Sequence, residues 1–403
     1  MFDHILKQIK YDKLLFWIVC FIVINHYAEY IIHNPYRVEY SHYDEPNWIW
    51  VSYHSWDNLI SGRWNSPFWK EEYGNWGNSS PQLGKYFIGA PVWWYLRINP
   101  DIKLHNWGNF NSIDNPSVWP DFRLYYPARI QSAIFMCLIT LLLMDLVSTV
   151  FNPYVSAATA LFFIMHPYVV SNSFRALTDA CALFGLTIAL WGLFRKKTMA
   201  VVISVGLGLG WALATKINAL VILPAIIVGM FLRNRPNKHI LSAIIQILLI
   251  LAIALFIIYF TNPYLWQEPI YGLKKIWGHS GKDNVLTSRL GHYINIFKGL
   301  FFQTSSTGLI KGSGLFERTI YICCFVFGLM ILIKTRDSKR FSFVVISIII
   351  WIMLLLSIPQ DWERYYLIGI VPISVICGYG FVMAFKLIIL PNIKKGQELE
   401  SKK

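Results

Sequence analysis

The stretch AIIQILLILAIALFIIYF, residues 243–260, runs for eighteen residues without a charged side chain. An α-helix rises about 1.5 Å per residue, so about twenty apolar residues cross the roughly 30 Å hydrocarbon core of a bilayer. A run of this kind reads as a membrane helix, and FSFVVISIIIWIMLLLSI (341–358) repeats it. The chain of 403 residues is 55% hydrophobic and only 14% charged, where soluble domains average about a quarter charged. It is therefore read as an all-α polytopic membrane protein.

Working outward from these two runs, about ten spans are expected: 14–32, 128–150, 154–171, 176–194, 199–215, 217–232, 240–260, 319–333, 341–358 and 366–388. The first follows Lys7, Lys10 and Lys13 and resembles a signal peptide. The polar, bulky NHYAEYIIHNPYR after it offers no small-residue cleavage site, so it is expected to be a retained span. The formal net charge is +14, carried in the N-terminal lysines, RKK (195–197), RNRPNK (233–238), KTRDSKR (334–340) and the C-terminal lysine pairs. That is the positive-inside pattern of short cytoplasmic loops. It outweighs a nucleic-acid reading, for which the charge would cluster on one folded face. The six cysteines all lie inside apolar runs and read as packing residues.

With the N-terminus in the cytoplasm, residues 1–390 form one transmembrane domain and 391–403 a basic cytoplasmic tail. Three segments then lie outside: 33–127, 261–318 and PQDWERYY (359–366). The first is rich in Trp, Tyr, Asn and Gly, so short helices lying at the membrane interface are expected there. The second is basic, with Lys274, Lys275, Lys282, Arg289, Lys298 and Lys311, and suits either an amphipathic surface or lipid phosphate. No internal repeat of the transporter kind is visible.

Five charged clusters fall on the outer side. In EYSHYDEPNWIW (39–50), Asp44, Glu45 and Pro46 read as a helix N-cap and first turn. The same placement fixes carboxylates on rigid backbone, as a general base requires. In NSSPQLGKYFIGAP (78–91), Lys85 either snorkels to headgroups or binds an anion. In SNSFRALTDACALF (171–184), Arg175 and Asp179 stand four apart, which on a helix puts them on one face, as a mutual salt bridge or as a site. WALATKINALVILP (211–224) sets Lys216 among apolar residues, where it needs an anion or water. SIPQDWERYYLIG (357–369) offers Arg364 for bidentate phosphate binding or for pairing with Asp361 or Glu363. Together they describe a carboxylate base beside a cationic pocket, open to an anionic substrate in the membrane.

At these residues the chain resembles the GT-C integral-membrane glycosyltransferases of the protein O-mannosyltransferase and lipid A aminoarabinose transferase type. YDEPNW (43–48) is similar to that family's acidic pair after span one, SPQLGKYFIGA (80–90) to its HPPLGK segment, and FRALTDACALF (174–184) to its Arg-x-x-x-Asp entry to a later span. GWALATKINALVILP (210–224) is similar to its GLALLTKYTALLLLP pattern and DWERYYL (361–367) to its RYYLP ending, all in family order. Ser80 and Gln82 depart from it, replacing the histidine and second proline of HPPLGK. Larger members carry a further extracytoplasmic domain, and none is expected after the last span here.

The resemblance implies a sugar donor linked to polyprenyl phosphate and a hydroxyl acceptor on protein, lipid or glycan. It implies direct displacement with inversion on the extracytoplasmic face, with the plasma membrane as expected location and hexosyl or pentosyl transfer both open. Asp44 is then the expected base, with Glu45 or Asp179 orienting it or binding acceptor. Lys85, Arg175, Lys216 and Arg364 become the donor-phosphate cations, because a phosphate leaving group needs positive charge rather than an acid. His42, Trp48 and Tyr365 become substrate-binding residues, though an aromatic belt also accounts for Trp at this depth. No cofactor is required; a divalent metal on Asp44, Glu45 and His42 is the alternative. A transporter or flippase for lipid-linked sugars, or an accessory subunit, would use the charged site without a base.

Overall fold

The computed structural model describes residues 2–33, 44–69, 81–104, 121–234, 240–274, 315–335, 337–357 and 366–389, and among these every regular element is helical. His42, Arg364 and Tyr365 lie outside them, as do Asp361, Glu363, most of the second external segment and the C-terminal tail. The elements are α1 (Phe2–His33), α2 (Glu45–Ile60), α3 (Leu83–Ile98), α4 (Tyr125–Val150), α5 (Pro153–Ile164), α6 (Pro167–Ser173) and α7 (Asp179–Leu193). Then come α8 (Thr198–Thr215), a 3-10 turn (Ile217–Ile222), α9 (Leu223–Asn234), α10 (Ile240–Thr261) and α11 (Tyr264–Gln267). The last three are α12 (Leu315–Ile333), α13 (Ser338–Ser357) and α14 (Leu367–Ala384).

Helices occupy all ten expected span positions, but among the described residues six are long and apolar enough to cross a membrane on length and composition, or seven if the bent α5–α6 pair is one span. That pair corrects the expected continuous span 154–171: α5 and α6 meet at 68°. Pro167 cannot donate to the helix and clashes with the turn before it. His166 caps the restarted helix, its Nδ1 accepting the Tyr168 N–H at 3.2 Å. Asn152 caps α5 in the same way, accepting from the Val155 N–H at 3.0 Å ahead of Pro153.

The core is packed helix on helix. α14 is enclosed almost throughout, with Ile370, Ile373, Val375 and Ile376 buried. α10 instead turns Leu248, Phe256 and Phe260 outward, as a lipid-facing helix does. α7 and α8 approach closely at Gly208, where a Cβ would stand 2.4 Å from the Ala189 nitrogen and 2.6 Å from the Gly185 carbonyl oxygen. Small residues let helix backbones meet in this way, in a medium where apolar burial drives little association.

The basic loops gather at one end. Asp145 of α4 accepts from Trp191 Nε1 at 2.6 Å and pairs with Arg195, whose guanidinium lies 3.8 Å from the Trp191 ring centroid. Arg233 of α9 donates to the carbonyls of Arg195 and Lys196. Arg340 of α13 stands over Phe151 and Tyr379. The segment 33–127, expected to lie outside, carries helices in its described parts: α2 and α3 pack on each other, and with a 3-10 turn (Pro67–Trp69) and α11 they bury Trp50, Phe68, Trp69, Tyr86 and Tyr264 together.

Substituting Gly208→Ala is expected to destabilise the protein by about 1–3 kcal/mol, since a methyl group has no room between α7 and α8. A lowered midpoint in thermal unfolding of the detergent-solubilised protein reads this out.

Candidate active site

The opposite end of the helices holds the charged clusters. Glu45 opens α2 and is completely buried, 0% exposed. Its Oε2 accepts from Arg129 Nε at 2.8 Å and its Oε1 from Arg129 Nη2 at 3.2 Å. Arg129, 2% exposed near the start of α4, thus grips it in bidentate fashion. Oε2 also accepts the backbone N–H of Ala176 at 3.0 Å. One carboxylate therefore joins the start of α2, the start of α4 and the turn between α6 and α7. Ser132 Oγ donates to the Arg175 carbonyl at 2.6 Å, and Gln131 Nε2 to the Leu177 carbonyl at 3.2 Å, so that turn is pinned along its length.

The turn corrects one expectation. Residues 174–178 are not helical and α7 begins at Asp179, so Arg175 and Asp179 do not share a helix face. Asp179 instead takes Lys216, Nζ to Oδ1 at 2.5 Å, across the start of α7 and the end of α8. This supplies the anion that Lys216 needs among its apolar neighbours. Arg175 is buried in the turn, 4% exposed.

For Lys85 the sequence left two readings open. This lysine lies in the first turn of α3 and is 0% exposed, so it does not snorkel to headgroups. Burial pushes its ammonium well below the usual lysine range. Gly84 beside it admits no side chain: a Cβ would stand 2.7 Å from the methyl groups of both Thr178 and Thr215. Those threonines directly precede Asp179 and Lys216, so the start of α3 is wedged into the α7–α8 junction.

Asp44 precedes α2 at its cap position, yet its side chain makes no capping hydrogen bond to the helix; its carbonyl accepts the Trp48 N–H at 3.0 Å. The structural role expected for this side chain is thus not the one it plays. Asp44 is 2% exposed and Trp48 is 7% exposed. Glu45 is unsuited to holding a metal, with both oxygens committed to Arg129 and Ala176. Among the described residues no three His, Cys, Asp or Glu side chains group closely enough for an ion.

The structure therefore brings together Asp44, Glu45, Lys85, Arg175, Asp179 and Lys216 at one end of the fold. It adds residues that sequence reasoning passed over: Arg129, Gln131 and Ser132 on α4, and Asn262 after α10. Arg129 carried a signal, as a lone cation inside an otherwise apolar run. The small polar residues carried none.

Comparison with known proteins agrees with this architecture. The dolichyl-phosphate-mannose-protein mannosyltransferase family matches residues 49–269, which hold Lys85, Arg129, Arg175, Asp179 and Lys216. The fold is similar to that of ArnT from Cupriavidus metallidurans bound to undecaprenyl phosphate, with TM-score 0.56 and 13% identity over 92% of this chain and 60% of that one. It is also similar to the Archaeoglobus fulgidus oligosaccharyltransferase in its apo form, with TM-score 0.55 and 12% identity over 95% of this chain and 52% of that one. The chain thus spans between half and three fifths of the length of these structures, and at such identities the likeness is one of fold. No curated protein is significantly similar in sequence.

Removing Arg129 takes the bidentate cation from a buried carboxylate. Arg129→Met is expected to cost about 3–5 kcal/mol of stability, and adding Glu45→Gln to restore part of it. Thermal unfolding of the two single variants and the double variant measures the coupling.

Proposed function

We infer the activity from one premise: this chain belongs to the dolichyl-phosphate-mannose-protein mannosyltransferase family. It is a membrane glycosyltransferase that moves a sugar from a polyprenyl-phosphate donor to a hydroxyl acceptor, on the face of the membrane opposite the basic loops. The observation that carries this reading is the placement of a buried Asp44, a fully buried Lys85 and the Asp179–Lys216 pair at one end of the helices. The undecaprenyl phosphate bound to ArnT, a protein of similar fold, supports a lipid phosphate as the donor's anionic part.

In the proposed reaction Asp44 accepts the proton of the attacking hydroxyl as its oxygen bonds to the anomeric carbon. The bond to the phosphate oxygen breaks with inversion, and the lipid phosphate leaves. Lys85 is the principal cation for that phosphate, because a charge held in a water-excluded site acts at short range with little screening. Arg175 and Lys216 complete the positive rim, with Arg364 a further candidate. Asp179 orients Lys216 through its ion pair, and Glu45, committed to Arg129, positions Asp44 rather than taking a proton. Trp48 and, in the segments outside the described residues, His42 and Tyr365 are the substrate contacts this reading assigns. The basic loops mark the cytoplasmic side, so the site faces the outside of the plasma membrane.

Incubating the purified protein with radiolabelled polyprenyl-phosphate sugars and extracted acceptors tests the reading. Asp44→Asn is expected to reduce transfer by about 10²–10⁴-fold with unchanged unfolding behaviour. Wild-type transfer by that variant, or no turnover with any donor, would overturn the assignment. Binding of undecaprenyl phosphate adds a test by pH. The ammonium is the binding form, and burial holds the Lys85 pKa below 10.5. Affinity is therefore expected to fall as pH rises, before ordinary lysines titrate. Lys85→Arg is expected to flatten that profile, because a guanidinium stays charged throughout.

A further inference from the structure

The first turn of α3 is held from two sides. On one side Gly84 meets Thr178 and Thr215 with no space for a side chain. On the other side stands Asn262, 0% exposed, just beyond the end of α10. Its Oδ1 accepts the backbone N–H of Gln82 at 2.8 Å, a contact across 180 residues of sequence. Its Nδ2 donates to the Ile258 carbonyl and to Thr261 Oγ1, so both ends of the amide are used and its orientation follows from its partners. The side chain of Gln82, also 0% exposed, accepts from Ser55 Oγ of α2 at 3.0 Å. One turn further, the Tyr86 hydroxyl donates to the Thr261 carbonyl at 3.0 Å.

Lys85 lies between these two tied residues. A lysine stem is long and flexible, so a buried ammonium is aimed by the backbone that carries it. We propose that Asn262 is a positioning residue for Lys85, acting through the backbone N–H of Gln82 to fix the turn from which the lysine projects. The consequence for phosphate binding rests on the reading of Lys85 given above; the positioning itself rests on these contacts. The device belongs to this chain's own residue at position 82, where the similar HPPLGK segment carries a proline, which has no N–H to give.

The test uses the purified full-length protein in detergent. Acylation of Lys85 by acetic anhydride, followed by peptide mass spectrometry, reports how well the amine is held and needs no substrate. Asn262→Leu orphans a buried N–H and is expected to raise the Lys85 acylation rate about tenfold. In a Gln82→Pro background the same substitution is expected to change nothing, because the donor is gone. Should Gln82→Pro fail to fold, Gln82→Ala, which keeps the N–H and drops only the side chain, replaces it, and Asn262→Leu in that background is expected to raise the rate as it does in the wild type. Tyr86→Phe, which drops the second tie, is expected to act in the same direction as Asn262→Leu. An unchanged Lys85 rate in Asn262→Leu, or an equal rise with and without the Gln82 N–H, overturns the proposal. Binding of undecaprenyl phosphate is measured in parallel, and Asn262→Leu is expected to weaken it about tenfold only when Gln82 is present. If Lys85→Met bound undecaprenyl phosphate as tightly as wild type, the phosphate reading would fall while the acylation arm still decided the positioning.

Discussion

A single buried ion pair organises the site end of this protein. Glu45 and Arg129 lie where water does not reach, and each would be costly there alone. Together, with the Ala176 N–H as a third donor, they satisfy one another and lock α2, α4 and the α6–α7 turn into one arrangement. The neighbouring contacts of the α6–α7 turn continue from that lock. The turn it holds presents Thr178 to Gly84, and Thr178 in turn introduces Asp179, which meets Lys216. The adjacent acids of the sequence thereby divide their labour: Glu45 is spent on structure, and Asp44 stands one residue earlier on the backbone so fixed.

The helices that carry the site carry a second ionic cluster at their other end. α7 begins with Asp179 at the candidate active site and ends beside Trp191 and Arg195, which meet Asp145 of α4. Arg233 and Arg340 join that end from α9 and α13. The contrast in chemistry between the ends is physical. One end is a ring of partly exposed arginines over aromatic rings, suited to an interface with anionic lipid. The other buries its charges against chosen partners, Glu45 with Arg129 and Asp179 with Lys216.

The membrane character, the helix positions and the charged residues of the site were legible from the chain alone. Long apolar runs such as 243–260 have few alternatives, and the basic loops order them. Most of the candidate cations and acids came out as well, because a charge inside or beside an apolar run is rare enough to notice. What was not legible were the partners. Arg175 and Asp179 at a spacing of four looked like neighbours on a helix, but the backbone between them turns, since Glu45, Gln131 and Ser132 supply the hydrogen bonds that a helix would otherwise make for itself. Lys85 read equally well as a snorkelling residue, and only the packing of Gly84 against two threonines shows why its side chain stays inside.

By itself, then, the sequence determined that this is a helical membrane protein with acids and cations gathered toward one side, because hydrocarbon excludes charge and long apolar runs satisfy their backbone there as helices. Only the tertiary structure decided which charge meets which. Glu45 and Arg129 are 84 residues apart, Asp179 and Lys216 are 37 apart, and Gln82 and Asn262 are 180 apart. Pairings over such separations are set by how helices of similar apolar character pack, and in each helix that character is spread too evenly for the sequence to name a partner.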